Sequence, residues 1–220
     1  MKQEIWYYFW ASFRRKIIDS LHETYKHYYR GTVLDVGGRD RGKFVKPKHA
    51  VKKWIFADIE KKHHPDLVMD IANMSSIANN SITVISAIEV FAHVKYLEKA
   101  LDECYRVLEP GGYIIFSVPM LYPIINDPTD FQRWTESKWR YELGSRGFSI
   151  EHLEQMGHFF TVVADFFNMA NKSQCRFLRH VGLFFYPLLS LIAKLDAFKC
   201  VKRNKTLHSF TTGYFIIAKK

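Results

Sequence analysis

Apolar residues recur four apart at the start of the chain, at Ile5, Phe9, Phe13, Ile17 and Leu21, with Trp6 and Trp10 beside them and Arg14, Arg15 and Lys16 elsewhere on the wheel. This spacing predicts an amphipathic helix that stops before Gly31. The pattern then breaks into short apolar runs at 32–36, 54–57, 67–69, 82–87 and 113–118, which predict buried strands. Before the last of them, Val94, Leu97, Leu101, Cys104, Tyr105 and Leu108 fall at helical spacing and Pro110-Gly111-Gly112 comes next as a stop. Buried strands alternating with helices or short connections make an open, mostly parallel α/β sheet. Further along, the pattern predicts a helix over 135–146 and a strand over 148–153. A helical, aromatic-rich stretch over 159–198, interrupted at Pro187, precedes a final strand over 213–218.

Composition narrows the class. At 220 residues, 48% hydrophobic and 25% charged, the chain is long enough for one domain with a full core, which excludes a disordered or collagenous protein. Cys104, Cys175 and Cys200 have no paired short spacing, so neither a disulfide framework nor a zinc knuckle is supported and a reducing cytoplasm fits. The amino terminus has an acid near its start and no small-residue cleavage site, unlike a secretory signal. The longest apolar run, 181–193, covers 13 residues, against roughly 20 for a spanning helix. No segment is therefore expected to cross a bilayer.

The net charge is +10, and it is unevenly spread: residues 41–64 hold eight Lys/Arg against two acids, whereas 66–171 hold seven against fourteen. Such a distribution suits an anionic partner, or equally a well-solvated surface.

Ligands of open parallel sheets bind beyond the carboxyl ends of the strands, so polar residues there are the candidates for chemistry. The first strand runs into Asp35-Val36-Gly37-Gly38, and the second ends in Asp58-Ile59. A glycine turn lets a ligand approach the backbone, and an acid at the next strand tip can accept both hydroxyls of a ribose. Asp70-Ile71 ends the third strand, where the carboxylate can accept from an adenine amino group and Ile71 can pack on the ring. Structural alternatives remain: Asp35 can hold its own turn, and Asp70 can cap the next segment.

Two further stretches, Ala87-Ile88-Glu89-Val90-Phe91-Ala92-His93-Val94 and Leu108-Glu109-Pro110-Gly111-Gly112, complete a series that resembles the class I S-adenosylmethionine-dependent methyltransferases over about 31–118. The resemblance implies a Rossmann-like, seven-stranded, mostly parallel sheet flanked by helices, within one domain. Residues 1–30 would form the N-terminal helix and 31–118 the cofactor-binding core. An acceptor-side loop, a helical insertion and the final strands would occupy 119–220. It implies S-adenosylmethionine as cofactor, with Asp35, Gly37 and Gly38 beside the methionine portion. Asp58 and Ile59 would lie at the ribose, Asp70 and Ile71 at the adenine, and Ala87 and Glu89 at the methionine end. Arg39 and Arg41 stand where the family commonly has glycine, and Pro47 interrupts the usual first crossover helix. That helix must be short or displaced, and an arginine can supply the charge its dipole would have offered.

The stretch 119–135 is long for a connection and resembles the P-x-x-D-F-x-R-W/F-T segment of methyltransferases from bacterial surface-polysaccharide and glycolipid pathways, with Ile125 where many of those have His. The resemblance implies a sugar-hydroxyl acceptor contacted by Tyr122, Asp130, Arg133 and Trp134. An Asp130 to Arg133 contact that merely pins the loop explains the same residues. A hydroxyl acceptor needs a base, and His93 and Asp127 are the candidates, with His158 a weaker one. His93 equally reads as a helix-start residue, and no metal constellation is present in the pattern. Other readings of the chain are methylation of RNA or another small molecule, and a scaffold without turnover. The absence of a stacking platform argues against nucleic acid. The apolar, cation-bordered stretch 176–203 suits peripheral contact with the inner membrane face, a lid over the acceptor, or a homodimer interface.

Overall fold

The computed structural model describes residues 7–38, 43–125, 129–169 and 176–220. Seven strands form one sheet: β1 (Gly31–Val36), β2 (Val51–Asp58), β3 (Leu67–Val68), β4 (Ile82–Ile88), β5 (Leu108–Pro119), β6 (Ser149–Gln155) and β7 (Gly213–Lys219). Their spatial order is β3-β2-β1-β4-β5-β7-β6. β1 pairs in parallel with both β2 and β4, and the β2–β3 and β4–β5 pairs are also parallel. The seven-stranded, mostly parallel sheet expected from the sequence is therefore present. The helices are α1 (Phe13–Thr24), α2 (Leu97–Val107), α3 (Glu136–Ser145), α4 (Phe159–Asn168), α5 (Arg176–Lys194), α6 (Lys199–Arg203) and α7 (Lys205–His208).

Leu34, Ile85, Phe116 and Ile216 from four strands share a core with Leu97, Leu101 and Cys104 of α2 and Trp139 and Leu143 of α3. Strands buried on both faces read as continuous apolar runs, which is why their positions were legible. Two local expectations are corrected. Pro110-Gly111-Gly112 does not stop a helix. α2 ends at Val107 and β5 begins at once, with Leu108 opposite Ile82 but Tyr113 opposite Val84. The proline and glycines form a bulge in β5, and a Cβ on Gly112 would lie 2.9 Å from the Thr83 and Glu109 carbonyls. In the first crossover no helix is found among the described residues 37, 38 and 43–50, consistent with Pro47.

The described residues cluster into two compact units. One draws on the segments His22–Met120, Ile124–Glu154 and Tyr214–Lys220 and holds the sheet; the other draws on Met1–Leu21, Leu121–Pro123 and Gln155–Gly213. In this second unit two buried carboxylates organise the helices. Asp165 accepts from the amides of Phe13 (2.7 Å) and Arg14 (3.0 Å), and Asp196 from those of His158, Phe160 and Thr161. Each carboxylate satisfies amide donors at the start of a helix, α1 and α4 respectively.

The Asp165 contact explains a departure from the expected amino-terminal helix. Residues 7–10 are helical, 11 and 12 are not, and a new helix begins at Phe13 because its first amides are claimed by Asp165 and, at Arg15, by Ser12 Oγ. Within the unit, Phe13, Ala164, Tyr186 and Leu189 form a small core, Tyr186 stacking on Phe13 at 5.6 Å between ring centres. Pro187 does not interrupt α5. Its ring is exposed, and the Leu183 carbonyl that loses an amide partner lies on the same helix side. The continuous helix includes a 19-residue stretch, Arg179–Ala197, that is long and apolar enough to cross a membrane by length and composition only.

Asp165→Ala strips two amides of a buried, charged acceptor, and we expect it to cost about 3 kcal/mol in urea denaturation. A cost below about 0.5 kcal/mol would show that α1 starts at Phe13 for another reason.

Candidate functional site

Strand order reverses between β1 and β4, and the sequence-selected residues of these two strands, and of β2 on the other side of β1, all lie at the strands' carboxyl ends. Gly37 turns away from β1 at φ +63°, and its amide donates to the Ala57 carbonyl at 2.8 Å. A Cβ on Gly37 would meet Val90 at 2.8 Å, and one on Gly38 would lie 2.0 Å from the Asp35 carboxyl carbon. The two glycines thus let the turn fold back over the buried Asp35 side chain. Asp35 is paired with Lys46 Nζ at 2.9 Å. Arg39 and Arg41 lie outside the described residues.

Asp58 ends β2 almost wholly buried. Its Oδ1 accepts from the Glu60 amide at 2.9 Å and its Oδ2 faces His63 Nδ1 at 3.0 Å. A carboxylate offers about four lone-pair sites, so both oxygens can accept again. Ile59 beside it is 62% exposed, an apolar side chain held at the surface next to the acid. Asp70 is exposed and accepts from the Ala72 amide at 2.8 Å, whereas Ile71 lies in the core cluster. Ala87 is fully buried at the end of β4. Glu89 has φ +62°, rare for a side chain of this size and costing about 1 to 3 kcal/mol. Ser117 of β5 holds it there, its carbonyl accepting the Glu89 amide at 2.9 Å and its hydroxyl donating to Oε1 at 2.7 Å.

His93 closes a short 3₁₀ turn, Phe91–His93, and its Nδ1 lies 3.1 Å from the Thr129 carbonyl. A carbonyl only accepts, so the neutral ring carries its proton on Nδ1 and leaves Nε2 as the acceptor. The same turn is tied to the loop by Phe131 N–H, which donates to the Ala92 carbonyl at 2.8 Å. Asp130 accepts from Ile125 N–H at 3.1 Å and from Arg133, through Nε at 3.2 Å and also through Nη2. Burial pushes the Asp130 carboxyl up, but the Arg133 and Ile125 hydrogen bonds outweigh it and, with His93 nearby, hold it below its usual range. The pinning contact expected of this loop is therefore formed.

Trp134 packs on Trp139 at 4.7 Å between ring centres, and Tyr122, in the unit that carries α4 and α5, lies under the Arg14 guanidinium at 4.0 Å. His158 stacks on His208 at 4.2 Å, and burial with that neighbour lowers its pKa. Asp127 lies outside the described residues. Sequence reading missed Lys46, His63 and Ser117 as partners of Asp35, Asp58 and Glu89. Only Asp58–Glu60–His63 is close enough in sequence to suggest a local turn.

Residues 48–116 match the family model described as a methyltransferase domain. No curated protein matches significantly. Among solved structures, a SAM-dependent methyltransferase from Archaeoglobus fulgidus is similar at TM-score 0.59 and 17% identity, covering 100% of this chain and 99% of that one. The [4+2]-cyclase SpnF is similar at TM-score 0.56 and 16% identity, with 94% and 80% covered. A Haemonchus contortus phosphoethanolamine N-methyltransferase, solved with phosphomonomethylethanolamine and S-adenosylhomocysteine, gives TM-score 0.54 and 12% identity over 93% of this chain and 52% of that one. At such identities the likeness is one of fold, a Rossmann-like methyltransferase fold. The matched methyltransferase domain supports an enzyme that transfers methyl groups, with S-adenosylmethionine as cofactor. The donor set fits that cofactor: a buried carboxylate with spare acceptor capacity beside an exposed apolar side chain suits a nucleoside.

Gly38→Ala forces the Asp35 carboxylate from its place, so the melting temperature should fall and cofactor affinity, read by calorimetry, should drop at least about tenfold. Unchanged affinity in a folded variant would remove Asp35 and Gly38 from the cofactor site.

Proposed function

We propose that this chain transfers a methyl group from S-adenosylmethionine to a hydroxyl of a sugar, in surface-glycan or lipid-linked saccharide biosynthesis. Bound S-adenosylmethionine supplies an electrophilic methyl on a sulfonium. Asp58 receives the ribose hydroxyls on its free lone pairs, Ile59 covers the adenine, and Asp35 with the Gly37-Gly38 turn borders the methionine portion. Asp70 meets the adenine amino group, and Ala87 and Glu89 bound the methionine end.

The observation that carries a hydroxyl acceptor is the His93 geometry. Its Nδ1 is committed to the Thr129 carbonyl, which leaves Nε2 to take the proton of an attacking hydroxyl. Asp130 and Arg133 set the loop that carries Thr129, and so orient His93 as well as facing the acceptor. The choice of a saccharide rests on the resemblance of the 119–135 segment to methyltransferases of surface-polysaccharide and glycolipid pathways.

Asp58→Ala removes a charge-assisted acceptor and should weaken cofactor binding at least tenfold, since such a bond contributes roughly 1.5 to 3 kcal/mol. His93→Gln should lower kcat by about 10² or more while leaving cofactor affinity within about twofold. Arg133→Ala should raise the acceptor KM or lower turnover with the same sparing of the cofactor.

The deciding assay supplies methyl-labelled cofactor with sugars, lipid-linked saccharides and RNA in parallel. Label on a sugar hydroxyl supports the proposal. Transfer to RNA alone, or cofactor binding with no transfer to any acceptor, would overturn it in favour of a different enzyme or a scaffold.

A further inference from the structure

The helical unit carries a surface that methyl transfer does not use. On α5, Tyr186 and Leu189 face the small core, whereas Phe177, Phe184, Leu188 and Leu191 are 73, 78, 51 and 61% exposed. These four stand at i, i+7, i+11 and i+14, one continuous stripe along the helix. A contiguous apolar stripe in water marks an interaction surface. The cations at the end of α5 and just beyond it set the chemistry of the partner. Lys194, Lys199, Lys202, Arg203 and Lys205 are all exposed. Residues 176–210 contain seven Lys/Arg and a single acid, Asp196, which is buried as the cap of α4. No carboxylate of this segment remains at the surface to cancel the cations, so the occupant must be apolar in one part and anionic in another.

We propose that the outer face of α5 docks reversibly on an anionic lipid surface, with the stripe among the acyl chains and the cations of α5 to α7 at the headgroups. Lipid is favoured over a second copy of this chain, because a copy would bring the same uncancelled cations against each other. The helix is long and apolar enough to span, but its Tyr186 side is stacked on Phe13 and engaged with Lys16, which keeps it part of a packed unit lying on the surface. The amino-terminal Phe9 and Phe13 pack against Tyr186 and Leu189 as core, so neither adds to the exposed stripe of α5.

Flotation with phosphatidylcholine vesicles, with and without phosphatidylglycerol, tests this on the full chain. Binding is expected to the anionic vesicles, and to weaken several-fold at about 1 M salt, where the Debye length falls from about 8 Å to about 3 Å. Phe184→Glu with Leu188→Glu should lower vesicle affinity at least about tenfold. The exposed charge reversal Lys199→Glu, Lys202→Glu, Arg203→Glu, which leaves the stripe intact, should abolish the preference for anionic vesicles. Calorimetry with the cofactor checks that both variants stay folded. The proposal is overturned by failure to bind either vesicle, by equal binding of wild type and charge-reversed protein, or by a wild-type dimer that the Phe184/Leu188 variant dissociates without any vesicle binding. None of these results bears on methyl transfer, which its own assay reads.

Discussion

Parallel pairing of β1 with two neighbours, β2 on one side and β4 on the other, is the constraint that creates the candidate site. Because the chain leaves β1 toward β2 and later returns beside β1 as β4, the connections depart in opposite directions and leave a crevice at the carboxyl end of β1. Asp35, Gly37 and Gly38 occupy that end. The turn needs both glycines for steric reasons, one for its positive φ and one because the Asp35 carboxylate fills the space of a Cβ. The backbone geometry of the turn and the placement of an anionic side chain are therefore one structural decision.

The acids at the strand ends already have structural partners. Asp35 is matched by Lys46, Asp58 by His63 and the Glu60 amide, Glu89 by Ser117. Buried carboxylates without such partners would be costly, so these contacts hold the side chains in fixed positions before any ligand arrives. The strained backbone of Glu89 is tolerated because two hydrogen bonds to Ser117 hold it.

The same economy appears in the helical unit, where Asp165 and Asp196 each satisfy amides at the first turn of a helix. Both acids are consumed inside the fold. The surface of residues 176–210 is cationic because the segment holds seven Lys/Arg against one acid, and that acid, Asp196, is buried as the cap of α4.

Apolar runs and helical spacing determined the strand positions, the α/β class and most element bounds, since strands buried on both faces and helices with one buried side impose those patterns. Asp58 and the Gly37-Gly38 turn were legible because their roles depend on local position at a strand end. Partners distant in sequence were not. Ser117 meets Glu89 across 28 residues, and Asp165 caps Phe13 across 152. No periodicity encodes such pairs, and it was the second of them that divided an apparently continuous amino-terminal helix. Likewise, Pro110-Gly111-Gly112 carries the composition of a helix stop, but the register of β4 against β5 makes it a bulge. Local pattern fixes which segments are helix or strand because side-chain period is a property of a few consecutive residues. Where a helix starts, which carboxylate is buried and which apolar face is left uncovered depend on what the rest of the chain brings against it, and only the tertiary structure decides that.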